Sequence, residues 1–237
     1  MMTFQGKKLR HELKYYVHAH EYVRMRGEAS RLMRLDDHSV GDAGYGIRSL
    51  YFDGVHDHAL HDKANGIFKR DKYRIRVYNG SKDRIMLERK SKFGDMVCKE
   101  GALLAFQEYE SIIRGDYLCL ADKKDPLLKD FYYVLAHRAY RPAVIVDYVR
   151  EAYIFEEGNV RLTFDKRLSA AVNSYDLFDK ALILNEALQG PVTIMELKYD
   201  SFLPAPVRPL IQPGRHVRSA ISKYLICRTK LLSYHKE

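Results

Sequence analysis

Apolar residues follow two rhythms along the chain. Alternation of apolar and polar positions, with β-branched and aromatic content, predicts eight strands, at about Leu9–Val17, Tyr45–Phe52, Lys72–Asn79, Arg84–Lys90, Met96–Leu104, Ala143–Phe155, Val160–Asp165 and Thr193–Tyr199. Apolar residues three or four apart predict helices at about His20–Leu35, Ala105–Arg114, Pro126–His137 and Val217–Leu231. The helices interrupt the strands without alternating with them, which argues against a doubly wound parallel sheet and for an α+β protein built on an antiparallel one. No linker, solenoid repeat or low-complexity tract divides residues 1–237, so one domain is expected, with "PAPVRPLIQPGRH" at 204–216 as a long loop before the last helix.

The polar side of the strands is unusual. In "KYRIRVYNGSKDRIMLERKSK", residues 72–92, Lys72, Arg74 and Arg76 share one face while Tyr73, Ile75 and Val77 share the other. Asn79-Gly80 supplies a turn, and Met86, Glu88 and Lys90 return on one face. The same alternation sets a carboxylate and an ammonium side by side in Glu12-Leu13-Lys14, Glu88-Arg89-Lys90 and Glu196-Leu197-Lys198. Tyr148 with Arg150, and Arg161 with Thr163 and Asp165, extend the pattern.

Helices such as "EYVRMRGEASRLMRL" need an apolar surface to cover, and the apolar strand faces supply one only if they point outward. The charged faces then point inward. The expected architecture is an eight-stranded antiparallel β-barrel tunnel with a polar, basic lumen and helices packed outside.

Composition adds a partner to this picture. The chain has 237 residues, 46% hydrophobic and 30% charged, with a formal net charge of +9, which suits an anionic partner. Buried like charges need counter-charges, water or ligand, and the inferred lining holds more Lys and Arg than Glu and Asp. A phosphorylated polyanion fits, because the Arg fork binds phosphate oxygens in pairs, while the few carboxylates can hold a divalent metal or neutralise neighbouring lysines.

Other chemistries are poorly supported. Cys98, Cys119 and Cys227 form no C-x-x-C pair, which points to a reducing compartment, and no apolar run is long enough to span a bilayer, so a cytoplasmic protein without a transmembrane segment is expected. His56, His58 and His61 in "HDHALH" have no Cys or carboxylate at zinc-site spacing and are expected on the surface. Cys98 has no His partner in sequence, and there is no P-loop or Ser-His-Asp arrangement. The 18 tyrosines are spread over many strands, so nucleic acid is not an expected partner.

In chain order, "RHELKYYV", "RSLYFD", "KYRIRVYN", "LERKSK", "VIVDYVREAY", "VRLTFD", "MELKYD" and "SKYLIC" resemble the VTC domain of the triphosphate tunnel metalloenzyme, or CYTH-like, superfamily, over about Leu9 to Leu231. The resemblance implies divalent metal, Mn²⁺ or Mg²⁺, and phosphoanhydride chemistry on ATP, triphosphate or polyphosphate. It implies phosphate binding by Lys14, Arg74, Arg76, Lys90, Arg150, Ser222 and Lys223, and metal binding by Glu196. Lys92, Arg161 and Lys198 are expected to join the phosphate site from similar strands, and Glu12 and Glu88 the metal. Two positions depart: Arg10 replaces the first acid of the superfamily's E-x-E-x-K, and Ala220 stands where the eukaryotic polymerase has a basic residue.

The expected function is a polyphosphate polymerase-like transfer of the ATP γ-phosphoryl to a polyphosphate chain, with Lys14, Arg74, Arg76 and Lys223 at the reacting group. The alternatives are a triphosphate or polyphosphate hydrolase and a non-catalytic polyphosphate or inositol-phosphate sensor. Substituting Arg74 or Arg150 by alanine is expected to weaken phosphate binding without unfolding the protein.

Overall fold

The computed structural model describes residues 3–4, 7–8, 10–39, 43–93, 96–211 and 219–234. Strands β1 (Thr3–Phe4) and β2 (Lys7–Lys8) make a small separate ladder. All other strands join one antiparallel sheet. Its main path comprises β3 (His11–His18), β5 (Tyr45–Asp53), β6 (Lys69–Tyr78), β7 (Ile85–Phe93), β8 (Met96–Leu104), β9 (Arg141–Phe155), β10 (Val160–Ala171) and β12 (Val192–Tyr199). The order across it is β3-β12-β10-β9-β5-β6-β7-β8. Two short strands, β4 (Arg34–Leu35) and β11 (Leu184–Glu186), pair with β9 and β10 and bring the sheet to 10 strands among the described residues.

The eight expected strands are thus the main path, with differences at their ends. Leu9, expected to open the first strand, lies outside the described residues. β10 runs on past Asp165 because its register shifts between Lys166 and Ser169, where Arg167 takes a φ of 55°. A bulge of this kind breaks the alternation by which a strand is read. The sheet curls without closing: its two edge strands, β3 and β8, meet at one isolated bridge, Arg10 with Val97. In the β6–β7 hairpin, Asn79 and Gly80 both have positive φ and the Ser81 N–H donates to the Tyr78 carbonyl at 2.9 Å, a type I′ turn.

Helix α1 (Ala19–Leu32) is shorter than expected, since Met33 turns extended and the next two residues become β4. Helix α2 (His58–Ala64) starts where the Asp53 carboxylate accepts the Ala59 N–H at 2.9 Å. At α3 (Phe106–Ile113) the Glu108 carboxylate accepts the Ala105 N–H, and at α4 (Pro126–His137) Asp125 accepts from Leu127 and Leu128. Helix α5 (Lys223–Tyr234) begins after Ser222, whose hydroxyl accepts the Leu225 N–H; residues 217 and 218 of the expected helix lie outside the described residues.

Among the described residues three apolar clusters hold these layers. Helix α1 covers Val17, Leu162, Phe164 and Leu197, while α3 and α4 cover Ile75, Val77, Leu87 and Leu104, all on the outward faces of their strands. Helix α5 differs. It packs Tyr224, Cys227 and Leu231 among Val144, Val146 and Ile194, which lie on the same side of their strands as Arg150 and Glu196. The last helix therefore sits across one end of the lumen, where the inward residues become apolar and where Ala59 of α2 joins the same cluster, and not on the outside like α1, α3 and α4.

Candidate functional site: a cation-lined tunnel

Inward-facing strand residues and the start of α5 enclose a cavity of about 810 Å³ lined, among the described residues, by thirteen Lys and Arg side chains but only two carboxylates, Glu12 and Glu196. Every phosphate-site residue expected from sequence lines it: Lys14, Arg74, Arg76, Lys90, Lys92, Arg150, Arg161, Lys198, Ser222 and Lys223. The alternation of β6 alone contributes Arg70, Lys72, Arg74 and Arg76, a row about 20 Å long at the rise of an extended strand.

Each cation is held by a specific neighbour. Arg74 donates from Nε to Glu88 at 2.7 Å and from Nη1 to the Tyr51 hydroxyl at 2.8 Å. Arg76 donates to Ser49 Oγ and to the Tyr148 hydroxyl at 3.1 and 3.2 Å. Lys72 donates to Ser222 Oγ at 3.1 Å and lies over the Tyr224 ring, which ties β6 to the start of α5. Nearer one rim, Arg161 donates to the Tyr45 hydroxyl at 2.9 Å and pairs with Asp36 at 2.8 Å. Arg10, where the resemblance led us to expect an acid, pairs with Asp200 at 2.9 Å.

Glu12 and Glu196 come together because β3 and β12 pair with Glu196 opposite Lys14 and Lys198 opposite Glu12. Lysines crowd around them: Lys14 is 2.7 Å from Glu12, Lys90 is 2.8 Å from Glu12, and Lys198 is 2.5 Å from Glu196. Burial and the Glu196 charge push the Glu12 carboxyl up, but Lys90, Lys14 and Lys198 outweigh them and hold it down at about 2. Burial likewise works against ionisation of Glu196, and Lys198, Lys14 and Lys223 overcome it. Lys90 is less well supported than Lys14. Burial, then the Lys14 charge, brings it down to about 7 despite Glu12 and Glu196.

Glu88, a candidate metal ligand from sequence, does not join this pair. Arg74, Arg76 and Lys99 surround it at 2.6, 3.6 and 2.9 Å, and burial is outweighed by these cations, which hold its carboxyl far below its usual range. Among the described residues no three His, Cys, Asp or Glu side chains are grouped to hold a metal. The Glu12–Glu196 pair still fits a hard cation of the Mg²⁺ or Mn²⁺ kind, which takes one or two carboxylates and draws its other oxygens from water and phosphate. Beside the pair, the buried hydroxyl of Thr163, directly across from Glu196, has no hydrogen-bond partner among the described residues. His56, His58 and His61 are exposed, as the sequence led us to expect.

Asp165 acquires a role that its sequence position did not suggest. It is fully buried and receives Arg150 at 2.6 and 2.8 Å and Lys223 at 2.6 Å. The alternation with Arg161 and Thr163 placed it on the lumen face; only the position of α5 reveals Lys223 as its second partner. Lys72 lines the cavity on the face where alternation put it, and Arg70 and Lys99 are further lining cations that the same alternation could have found.

A curled antiparallel sheet around a basic lumen makes this a tunnel protein with a cation-lined interior. The family profile described as VTC domain matches residues 9–232, and the chain belongs to that family. None of the curated protein sequences matches it. Among solved structures, the PH1819 protein of Pyrococcus horikoshii aligns over 96% of this chain and 99% of its own at 14% identity, with a TM-score of 0.47. A Bacillus halodurans protein, bh2851, provisionally assigned as an adenylate cyclase, aligns over 98% and 92% at 11% identity and 0.49. The Mimivirus capping enzyme triphosphatase aligns over 82% and 81% at 10% identity and 0.38. Among the described residues no helix is long and apolar enough to cross a membrane.

Proposed function

We propose that the chain is a polyphosphate polymerase that moves the γ-phosphoryl of ATP onto the end of a polyphosphate chain inside the tunnel. The observation that carries this reading is the continuous row of lumen cations, longer than a single triphosphate requires. A terminal chain oxygen attacks the γ-phosphorus, the bond from that phosphorus to the β–γ bridging oxygen breaks, and ADP leaves. Charge balances without any proton transfer, so no protein base is needed and catalysis consists of positioning and charge neutralisation. Arg74, Arg76, Lys90 and Arg150 bind phosphate oxygens, with Lys92, Arg161, Lys198 and Ser222 extending the track. Lys14 and Lys223, beside Glu12 and Glu196, orient the reacting group. A divalent cation held by Glu196 and Glu12 would neutralise charge building on the phosphoryl oxygens.

The products of ATP with Mn²⁺ test this. ADP with long-chain polyphosphate and little free phosphate is the expected result. Equal ADP and free phosphate without chain would mean a hydrolase, and intact ATP beside tight polyphosphate binding would mean a sensor.

Lys90 makes anion binding depend on pH. Its folded value of about 7 lies below the ordinary 10.5, so the unfolded chain holds more protons between these values and the free protein gains stability from this group as pH rises through that window. A bound polyanion removes the penalty on the charged form, so binding takes up as much as about one proton per site and weakens as pH rises above about 7. Calorimetry with fully ionised triphosphate in buffers of different ionisation enthalpy should detect the uptake. Its persistence in Lys90→Met would assign it to another group.

A further inference from the structure

Arg150 and Lys223 reach the lumen from different parts of the fold, β9 and the first turn of α5, yet they converge on one carboxylate. Asp165, on β10 opposite Arg150, is completely buried and accepts Nε and Nη2 of Arg150 as a pair. Lys223 Nζ sits 2.6 Å from its second oxygen. Both cations also face the Tyr148 ring, Arg150 at 5.4 Å and Lys223 at 5.2 Å from its centre. Two of Arg150's donor nitrogens are thus taken by the wall.

We infer that Asp165 is a positioning residue, which docks the start of α5 to the tunnel wall and fixes Arg150 and Lys223 in the geometry that phosphate meets. This rests on the anion-tunnel reading above and deepens it. In a site where cations must be aimed before the ligand arrives, a buried carboxylate fixes direction at the expense of some positive charge. Helix α5 has other anchors, including Arg228 on Asp57 at 3.0 Å and the Tyr224 hydroxyl on Asp53, so the loss of Asp165 loosens its first turn without releasing the helix.

The two possible roles of Asp165 predict opposite signs. As a mere counter-charge it repels the ligand, and Asp165→Asn would tighten binding of inorganic triphosphate. As a positioning residue its loss weakens binding, by roughly tenfold or more. Calorimetry on the full chain without metal, at fixed ionic strength, compares wild type, Asp165→Asn and Arg228→Gln. The expected result is weak binding by Asp165→Asn and undiminished binding by Arg228→Gln, which loosens the same helix away from the lumen. Equal or tighter binding by Asp165→Asn overturns the inference alone, whereas no binding by wild type overturns the tunnel reading and the inference with it. A measurement on wild type needs no variant to fold: the Nε–H resonance of Arg150 should keep its carboxylate-bonded shift when triphosphate saturates the protein. A shift to that of a phosphate-bonded or solvated guanidinium would mean that Asp165 is displaced, contrary to the inference.

Discussion

Arg150→Ala is expected to destabilise the free protein by about 3–5 kcal/mol, the usual consequence of removing one partner from a buried ion pair. Arg150 is its bidentate partner, and Asp165 has no exposure through which water could replace it. In the intact protein burial pushes the Asp165 carboxyl up, but Arg150 and then Lys223 bring it down to about 2. That lies below its unfolded value, so the group's contribution to stability is present above about 4 and is lost as pH falls through about 2. Without Arg150 the burial penalty is less opposed, so the variant's deficit relative to wild type should be greatest near neutral pH and shrink on acidification. Urea unfolding of the free protein at two pH values measures both effects. Wild-type stability in Arg150→Ala would show that the pair is not a fixed part of the wall. The triple variant Arg150→Met, Asp165→Leu and Lys223→Met, which removes all three charges of the buried cluster, should recover most of the stability and none of the phosphate affinity. Against the sequence-based expectation that Arg74→Ala or Arg150→Ala weakens phosphate binding without unfolding the protein, these pairs predict a marked loss of stability, and Glu88 gives Arg74 the same dependence.

That reversal marks the boundary of what the sequence discloses. Alternation showed that Arg74, Arg150 and Glu196 share a face, and the need of the helices for an apolar surface turned that face inward. Both inferences use local periodicity. Pairing across the lumen is different, because Lys90 meets Glu12 from a strand 78 positions away and Lys72 meets Ser222 across 150. No period encodes such contacts. The placement of α5 was equally hidden, since the apolar stripe of Tyr224, Cys227 and Leu231 is the same whether the helix covers the outside of a sheet or closes the end of a tunnel. What distinguishes the two is that Val144, Val146 and Ile194 continue the inward phase of charged strands with apolar residues. The bulge at Lys166–Ser169 broke the phase of β10, so the strand was read as ending at Asp165.

Pairing also changes the electrostatic picture of the lumen. An uncompensated row of cations would repel itself, but Glu12, Glu88, Glu196 and Asp165 each serve two or more of them. These carboxylates let the cation-lined wall fold, and under the proposed function those beside the phosphates would change partners as ligand and metal bind. Glu88 and Asp165 lie behind their cations and remain with the wall. Under the proposed function Glu12 and Glu196 are the pair with a second use, at the metal.

Glu196→Gln should separate that second use from the first. The substitution preserves size and hydrogen-bonding capacity while removing the charge that a hard cation requires, so metal-dependent turnover is expected to fall by about a hundredfold or more. Anion binding without metal should move the other way. Glu196 engages Lys198 at 2.5 Å, Lys14 at 3.7 Å and Lys223 at 4.0 Å, and its neutralisation leaves these ammoniums with more charge for phosphate. Lys14 retains Glu12 and Lys223 retains Asp165, so the variant should fold. Triphosphate affinity measured in chelator should equal or exceed that of wild type, while Mn²⁺ no longer stimulates ADP release. Turnover at the wild-type level with Mn²⁺ would remove Glu196 from the metal site. Loss of triphosphate affinity in chelator would instead give its carboxylate the task that Asp165 performs for Arg150, holding lysines in place for the anion.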